Sequence, residues 1–175
     1  MSSPAILVVT GASGVGKTTL VRALEARGLP GISCHYFDSI GVPSPEVMER
    51  DFGGGAAWQE QTTRTWIVRL SSRSERVAVL EGQTRPSFVR AAFRDAGIRK
   101  GAIVLIDCAP GTRNSRLQGP RGQAELISAQ MDAWAAYLRG QAHALDLPII
   151  DTTSLTPALA LDELVQHVDQ LGVHA

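Results

Sequence analysis

The sequence has 175 residues and equal numbers of basic and acidic side chains, 17 Lys+Arg against 17 Asp+Glu, so its formal charge is zero. This length suits one domain, and we expect residues 1–175 to form a single one. Balanced charge argues against a nucleic-acid binder, which normally carries a basic excess. Two cysteines exclude a disulfide framework, and no apolar run approaches the roughly 18 residues that cross a bilayer. We therefore expect a cytoplasmic protein that binds neither nucleic acid nor membrane.

Short aliphatic runs alternate with helical patterns along the chain, which predicts an α/β fold with a parallel sheet and helices on both faces. The predicted strands are 5–10, 33–37, 77–80, 102–106 and 148–150. The predicted helices are 17–27, a short one from 45 to the glycines at 53–55, then 57–72, 86–96, 127–145 and one that begins at 157. Two segments stand apart from this alternation. The segment 39–76, with its two predicted helices, is less regular and is expected to face the substrate, and 110–122 is expected to be a flexible loop with room for one helical turn.

A glycine-rich segment follows the first strand and reads Gly11-Ala12-Ser13-Gly14-Val15-Gly16-Lys17-Thr18. It fits G-x-x-x-x-G-K-[ST] at every fixed position and lies between a predicted strand and a predicted helix, as this motif requires. The glycines let backbone N–H groups curl into an anion nest at the positive end of the helix dipole. Lys17 supplies a charge for the β- and γ-phosphates, and the Thr18 hydroxyl can bind Mg²⁺. The motif predicts that the chain binds a nucleoside triphosphate.

Other motifs that define classes of phosphate-loop proteins are absent from the sequence. There is no Asn-Lys-x-Asp tetrapeptide to read guanine, and Lys100 lies between Arg99 and Gly101 and cannot supply one. There is no Leu-Ser-Gly-Gly-Gln signature either. These absences argue against a Ras-like GTPase and against a transporter-type ATPase.

The loop with its next residue, Gly11 to Thr19, resembles the G-x-S-G-x-G-K-[ST]-[ST] loop of the small P-loop kinases. That group includes gluconate kinase, shikimate kinase, chloramphenicol phosphotransferase and the nucleoside and nucleotide kinases. The resemblance extends to Tyr36-Phe37-Asp38 after strand two, an arginine-bearing lid after strand four and Ile150-Asp151-Thr152-Thr153 after strand five. It implies a P-loop NTPase three-layer sandwich around a five-stranded parallel sheet. It does not cover the segment 39–76.

Two carboxylates at strand ends are candidates for the chemistry. The resemblance implies that Asp38 contacts the acceptor hydroxyl and takes its proton, and the alternative is an Asx turn with Ser39 and Ile40. Glu81 ends a strand that is typical of a Walker B segment, where a carboxylate holds Mg²⁺ through a water molecule. The group usually has Asp there, and the alternative for Glu81 is a loop carboxylate paired with Arg85.

Polar residues after strands three and four complete the predicted site. Gln83 and Arg85 are candidates for binding a polar or anionic substrate. Arg113, Arg116 and Arg121 are candidate lid arginines that offset the charge on the transferred phosphoryl group, and the alternative is a solvated loop.

Several other residues receive a structural interpretation. We expect Asp107 to be structural, Trp58 and Trp66 to lie in the core, and the face of Arg69, Arg73 and Arg76 to be solvated. Asp151, Thr152 and Thr153 either border an adenine or cap a strand end. The histidines and cysteines lack the spacing of metal ligands, so no zinc site is predicted.

Together these residues predict a Mg²⁺- and ATP-dependent phosphotransferase that acts on a small polar metabolite, as a monomer or homodimer. The alternative is a nucleotide-binding regulator that hydrolyses ATP slowly and acts through a protein partner. The regulator predicts a wide apolar surface patch and no stimulation by an acceptor.

Overall fold

The structure, a computed structural model, describes residues 4–119 and 122–173 and alternates strands with helices along the chain. The strands are β1 (Ala5–Thr10), β2 (Ile32–Tyr36), β3 (Val77–Gly82), β4 (Gly101–Asp107) and β5 (Ile149–Asp151). The helices are α1 (Lys17–Ala26), α2 (Pro45–Phe52), α3 (Gly55–Ser71), α4 (Pro86–Asp95), α5 (Pro110–Gln118), α6 (Ala129–Ala144) and α7 (Pro157–Val173). Two 3₁₀ turns, Phe37–Ile40 and Ala124–Leu126, follow β2 and precede α6. None of these helices in the described chain is long and apolar enough to cross a membrane.

The five strands form one sheet in the order β2-β3-β1-β4-β5, and every neighbouring pair is parallel. β1 lies in the centre and is buried along its whole length, which explains its unbroken apolar sequence. Its neighbours are β3 and β4. Because the strands are parallel, the segments that follow β1, β3 and β4 begin side by side at the carboxyl ends of the strands. The predicted α/β fold with a five-stranded parallel sheet is confirmed.

Helices cover both faces of the sheet, because alternate residues of each strand point to opposite sides. Leu7 and Val9 of β1 pack on one side with apolar residues of α1 and α7. Ile6 and Val8 pack on the other side with α3 and α4, and that layer contains Trp58 and Trp66. α6 continues the second layer by packing Leu138 and Ala142 on Leu105 of β4. The core position expected for the two tryptophans is confirmed.

The structure corrects the prediction for the segment after β4. Residues Pro110–Gln118 form helix α5 and not a loop with one helical turn. Pro110 occupies the first turn, where its missing N–H costs nothing, and Arg113 and Leu117 lie one turn apart on a buried face. A smaller difference concerns β3, which continues through Glu81 and Gly82 because these residues pair with Val9 and Thr10.

Candidate active site

The glycine-rich loop connects the end of β1 to the start of α1. Gly14 and Gly16 have φ angles of 83° and 96°, which favour glycine over residues with a Cβ atom. A Cβ on Gly14 would lie 2.9 Å from side-chain atoms of Arg113 and Leu117 on α5, so the loop is also closely packed. α1 begins at Lys17, immediately after the loop, and its first turn directs N–H groups and the positive dipole end toward this point. The sequence therefore forms the local geometry that an anionic phosphate requires.

Glu81 lies next to the two loop residues that the motif singles out. The Thr18 hydroxyl donates to Glu81 Oε1 at 3.0 Å, and Lys17 Nζ is 3.6 Å from the same oxygen. Lys17 Nζ also lies 3.5 Å from the carbonyl oxygen of Ala12, and both charged residues are buried, at 6% and 7% exposure. The carboxylate thus balances the lysine charge inside the cleft. Within the described residues Glu81 makes no ion pair with Arg85, so the alternative of a loop carboxylate paired with that arginine is wrong.

Asp38 lies on the 3₁₀ turn that follows β2, with an exposed side chain. Its neighbour Phe37 is buried, packs edge-on against Trp58 and accepts a hydrogen bond from Trp66 Nε1 through its carbonyl oxygen at 3.1 Å. These contacts hold the turn next to the end of β3, where Tyr36 pairs with Glu81. Among the described residues the Asp38 carboxylate makes no hydrogen bond or ion pair, so the Asx turn with Ser39 and Ile40 that was its alternative does not form. Its predicted contact with an acceptor stays a prediction.

A hydrogen-bond network extends from the glycine-rich loop across the end of β3. Gln83 Nε2 donates to the Ser13 hydroxyl at 2.9 Å, and Gln83 Oε1 accepts from Trp134 Nε1 at 3.2 Å. Gln59 Nε2 donates to the carbonyl oxygen of Gln83 at 2.9 Å. Gln59 Oε1 accepts from both the backbone N–H and the guanidinium of Arg85, at 3.1 and 2.8 Å. The structure brings the two predicted substrate residues together with Gln59 and Trp134, which the sequence analysis did not assign to the site.

The arginines after β4 differ in their surroundings. Arg116 donates to the carbonyl oxygens of Val15 and Thr152 at 3.0 and 2.8 Å and to the Thr152 hydroxyl at 2.9 Å, so it joins the glycine-rich loop to the end of β5. Arg113 is only 1% exposed and forms an ion pair with Asp132 of α6, in place of the flexible position expected of a lid arginine. Arg121 lies outside the described residues.

A mostly apolar cavity of about 280 Å³ adjoins the loop on the α1 side. Its lining includes Leu20, Leu155, Pro157, Arg116 and Thr152. Such a lining suits the flat, weakly polar ring of a nucleobase.

Next to this cavity, Asp151 and Thr153 cap a strand end. The carboxylate of Asp151 accepts a hydrogen bond from the Thr153 N–H at 2.8 Å, and hydrogen bonding to Thr153 lowers the pKa of Asp151 below its ordinary value. The Thr153 hydroxyl in turn accepts from Ala109 N–H at 2.8 Å. Of the two interpretations offered for these residues, the strand-end cap agrees with the contacts of Asp151 and Thr153, whereas Thr152 lines the cavity.

The remaining candidates have structural surroundings. Asp107 is buried and forms an ion pair with Arg139 at 2.5 Å, in agreement with a structural role. Arg69 stacks over Trp66 at 5.1 Å. The described residues contain no group of three or more His, Cys, Asp or Glu that could hold a metal ion.

The order of the strands and the glycine-rich loop after the central strand form a fold that this chain shares with small-molecule kinases of known structure. The structure is similar to a gluconokinase from Sinorhizobium meliloti 1021, with a TM-score of 0.66, 19% sequence identity and coverage of 100% of this chain and 99% of that one. It is also similar to a shikimate kinase from Acinetobacter baumannii, with a TM-score of 0.61, 18% identity and coverage of 95% and 94%. A tunicamycin resistance protein from Deinococcus radiodurans gives a TM-score of 0.67, 17% identity and coverage of 94% and 95%. The sequence matches no protein-family model and no curated protein.

Proposed function

We propose that this protein is a kinase that transfers the γ-phosphoryl group of ATP, with Mg²⁺, to a hydroxyl or phosphate oxygen of a small polar metabolite. The observation that carries the proposal is the contact of Lys17 and Thr18 with the buried carboxylate of Glu81 beside the glycine-rich loop. The kinases of known structure that share the fold support the same reaction class.

The oxygen atoms around Thr18 are suitable ligands for a magnesium ion. The Thr18 hydroxyl and the Glu81 carboxylate are oxygen ligands 3.0 Å apart, and Mg²⁺ prefers oxygen ligands and keeps several of its waters. We propose that Thr18 holds the ion directly and Glu81 through a water molecule. When bound, Mg²⁺ neutralises charge on the β- and γ-phosphates.

The residues of the chain then have distinct tasks. The loop from Gly11 to Thr19 binds the polyphosphate, and Lys17 exchanges part of its contact with Glu81 for the phosphates. The acceptor oxygen forms a bond to the γ-phosphorus while the bond from that phosphorus to the ADP oxygen breaks, and Asp38 takes the acceptor proton. Arg116, which already contacts the loop through Val15, offsets charge near the phosphates. Arg113 would offset this charge only after its ion pair with Asp132 has broken.

The regulator alternative gains no support from the surface. The exposed large apolar side chains among the described residues are Ile40 and Val42 at and just beyond the end of the 3₁₀ turn after β2, Val68 on α3, Tyr137 on α6 and Leu159 on α7. Apart from Ile40 and Val42 these side chains lie on different elements, and such scattering is normal for the surface of a monomeric protein.

The test is ADP release, measured by a coupled assay, with sugar acids, nucleosides, nucleotides and aminoglycoside-like compounds as acceptors. We expect one class to stimulate release, and we expect Lys17→Ala to reduce that release by about a hundredfold. The matched control is Lys100→Ala, which removes the only other lysine, just before β4 at the opposite end of the sheet. ATP hydrolysis that no acceptor stimulates, or full turnover by Lys17→Ala, would contradict the proposal.

The role of Asp38 has its own test. Asp38→Asn keeps the shape of the side chain and removes its basicity, so we expect turnover to fall by about a hundredfold with little change in ATP binding. ATP affinity is measured by calorimetry with a non-hydrolysable analogue. An equal loss of affinity and turnover would remove the role assigned to this carboxylate.

A further inference from the structure

An open cavity of about 520 Å³ lies between the start of α4 and the first half of α6. Its wall is largely apolar and includes Leu126, Met131, Trp134 and Tyr137, and its main cationic group is Arg85. The volume lies within the range of pockets that hold small molecules. The cavity is distinct from the one next to α1 that suits a nucleobase, so it is available for a second substrate.

Aromatic rings surround the guanidinium of Arg85. The rings of Trp134 and Tyr137 stack with their centroids 5.5 Å apart and their planes 14° from parallel. Arg85 Cζ lies 4.9 Å from the Trp134 centroid, 5.9 Å from that of Tyr137 and 5.3 Å from that of Phe88. The Arg85 guanidinium is also held by Gln59, whose side-chain oxygen accepts a hydrogen bond from it at 2.8 Å. The charge is therefore held in one place before any ligand arrives.

Arg85 has no acidic partner in the part of the chain that the structure describes. Arg85 is half-buried, no carboxylate oxygen of the described residues lies within 4.0 Å of its guanidinium, and its side-chain hydrogen bond to Gln59 uses one of its five N–H donors. Glu125 lines the same cavity from an exposed position at the rim and forms no ion pair with it. A fixed guanidinium with unused donors binds a carboxylate or phosphate through two parallel hydrogen bonds. The cavity is thus suited to an anion.

The cavity is also connected to the glycine-rich loop. Trp134 Nε1 donates to Gln83 at 3.2 Å, and the other end of the same amide donates to the Ser13 hydroxyl at 2.9 Å. One side-chain amide therefore separates the aromatic wall from the loop that holds the phosphates. This cavity lies on the face of the sheet that α4 and α6 cover, whereas the nucleobase cavity lies on the face that α1 and α7 cover, so the two cavities approach the loop from different sides.

We propose that this cavity binds the phosphoryl acceptor and that the acceptor is a ring-bearing acid. Its carboxylate or phosphate pairs with Arg85, and its flat ring packs against Trp134 and Tyr137. Arg85 and Trp134 are then the residues that determine specificity. The inference rests on the proposed kinase function and adds the chemical class of the substrate.

The test compares probes that contain the two features separately and together. Calorimetry with Mg²⁺ and a non-hydrolysable ATP analogue measures binding of 4-(hydroxymethyl)benzoate and benzyl phosphate, which have a ring and an acid. Benzyl alcohol has only the ring, and gluconate has only the acid. We expect at least one ring acid to bind about tenfold tighter than either single-feature probe. The stronger of the two ring acids identifies the carboxylate or the phosphate as the recognised group.

Variants assign the preference to particular side chains. Arg85→Gln should remove the advantage of the ring acid over benzyl alcohol, and Trp134→Leu should remove its advantage over gluconate. Arg90→Gln is the matched control, because Arg90 is an exposed arginine of α4, the helix that Arg85 precedes, and this variant should keep both preferences. Undetectable or equal binding of all four probes, or a preference that survives Arg85→Gln, overturns the proposal.

Failure of the cavity assignment differs from failure of the kinase proposal. If only the cavity assignment is wrong, ADP release with some acceptor still depends on Lys17 but not on Arg85. If the kinase proposal is wrong, either no acceptor stimulates ADP release or the stimulated release does not depend on Lys17.

Discussion

At the scale of single residues, the ion pair between Arg113 and Asp132 shows how the burial of one partner sets the contribution of the other to the free energy of unfolding. Arg113 is 1% exposed and Asp132 is 54% exposed, so the carboxylate is solvated whereas the guanidinium is not. Asp132→Asn would leave a buried charge without its counter-ion, which is costly because the interior cannot solvate it. We expect the free energy of unfolding to fall by about 1–3 kcal/mol, measured by urea denaturation.

Asp162 provides a matched control for that measurement. It pairs with Arg27, it has the same 54% exposure as Asp132, and its arginine is 40% exposed. Since exposed pairs contribute little, Asp162→Asn should change the free energy of unfolding by less than about 0.5 kcal/mol. The double variant Arg113→Met, Asp132→Asn should regain much of the loss by removing the buried charge. Equal effects of the two single substitutions would contradict this account.

The sequence predicted the residues of the candidate site that a local motif defines, and it did not indicate those whose contacts depend on distant partners. Each member of the loop from Gly11 to Thr18 has a fixed spacing, so its position followed from the sequence alone. Arg113 was assigned to a flexible lid, because its partner comes 19 positions later in another helix. Trp134 fitted a helical pattern, but its contact with Gln83 joins residues 51 positions apart. Contacts between residues so far apart in the chain cannot be predicted from the spacing of residues in a motif.

At the scale of elements, the end of β3 positions the turn that carries Asp38. A Cβ atom on Gly82 would lie 2.5 Å from Cβ of Phe37, which is closer than real Cβ atoms approach. Gly82→Ala should therefore push the turn Phe37–Ile40 outward and move Asp38 away from the position proposed for its contact with the acceptor. We expect turnover to fall by about tenfold to a hundredfold while ATP affinity changes little, because a small misplacement of a reacting group is costly. Steady-state kinetics and calorimetry measure the two quantities.

Gly101→Ala makes a comparable clash at the start of β4. Its Cβ would lie 2.7 Å from the ring of Phe93, at the edge of the sheet away from the glycine-rich loop. We expect this variant to lose stability like Gly82→Ala but to keep its turnover number. If both variants lost turnover to the same extent, the loss would reflect general destabilisation and not the position of Asp38.

The predicted boundaries of helices and strands agree with the structure where a single residue type, such as proline, determines where the element begins. β1 was predicted as observed, and α4 begins at Pro86 as expected, because proline fixes the first turn. α5 was not predicted as a helix, since Gly111, Asn114 and Ser115 give it a low helix propensity. Its stability comes from the burial of Arg113 and Leu117 against the glycine-rich loop, which is a tertiary effect.

At the scale of the whole molecule, the strand order explains why residues far apart in sequence meet in one cleft. β1 lies between β3 and β4, so the loop after β1 is flanked by Glu81 on one side and by Asp107 on the other. In parallel sheets, ligands bind at the carboxyl ends of the strands where the order of connections reverses. The candidate site therefore lies at the carboxyl ends of the strands, and the residues at the amino ends of the strands contribute to stability.

Edge strand β2 makes the stability of the molecule sensitive to alkaline pH. Burial raises the pKa of Cys34 from 9.0 to about 11, with a further contribution from the charge of Glu25, and burial raises that of Tyr36 to about 12. The folded chain therefore keeps the Cys34 proton at a pH where the unfolded chain releases it, and this stabilisation is complete below pH 9.0 and lost as the pH rises through about 11. We expect the Tm to fall over this interval in thermal unfolding followed by circular dichroism. Cys34→Ala should reduce the slope, and an identical slope in both proteins would show that the thiol is not responsible.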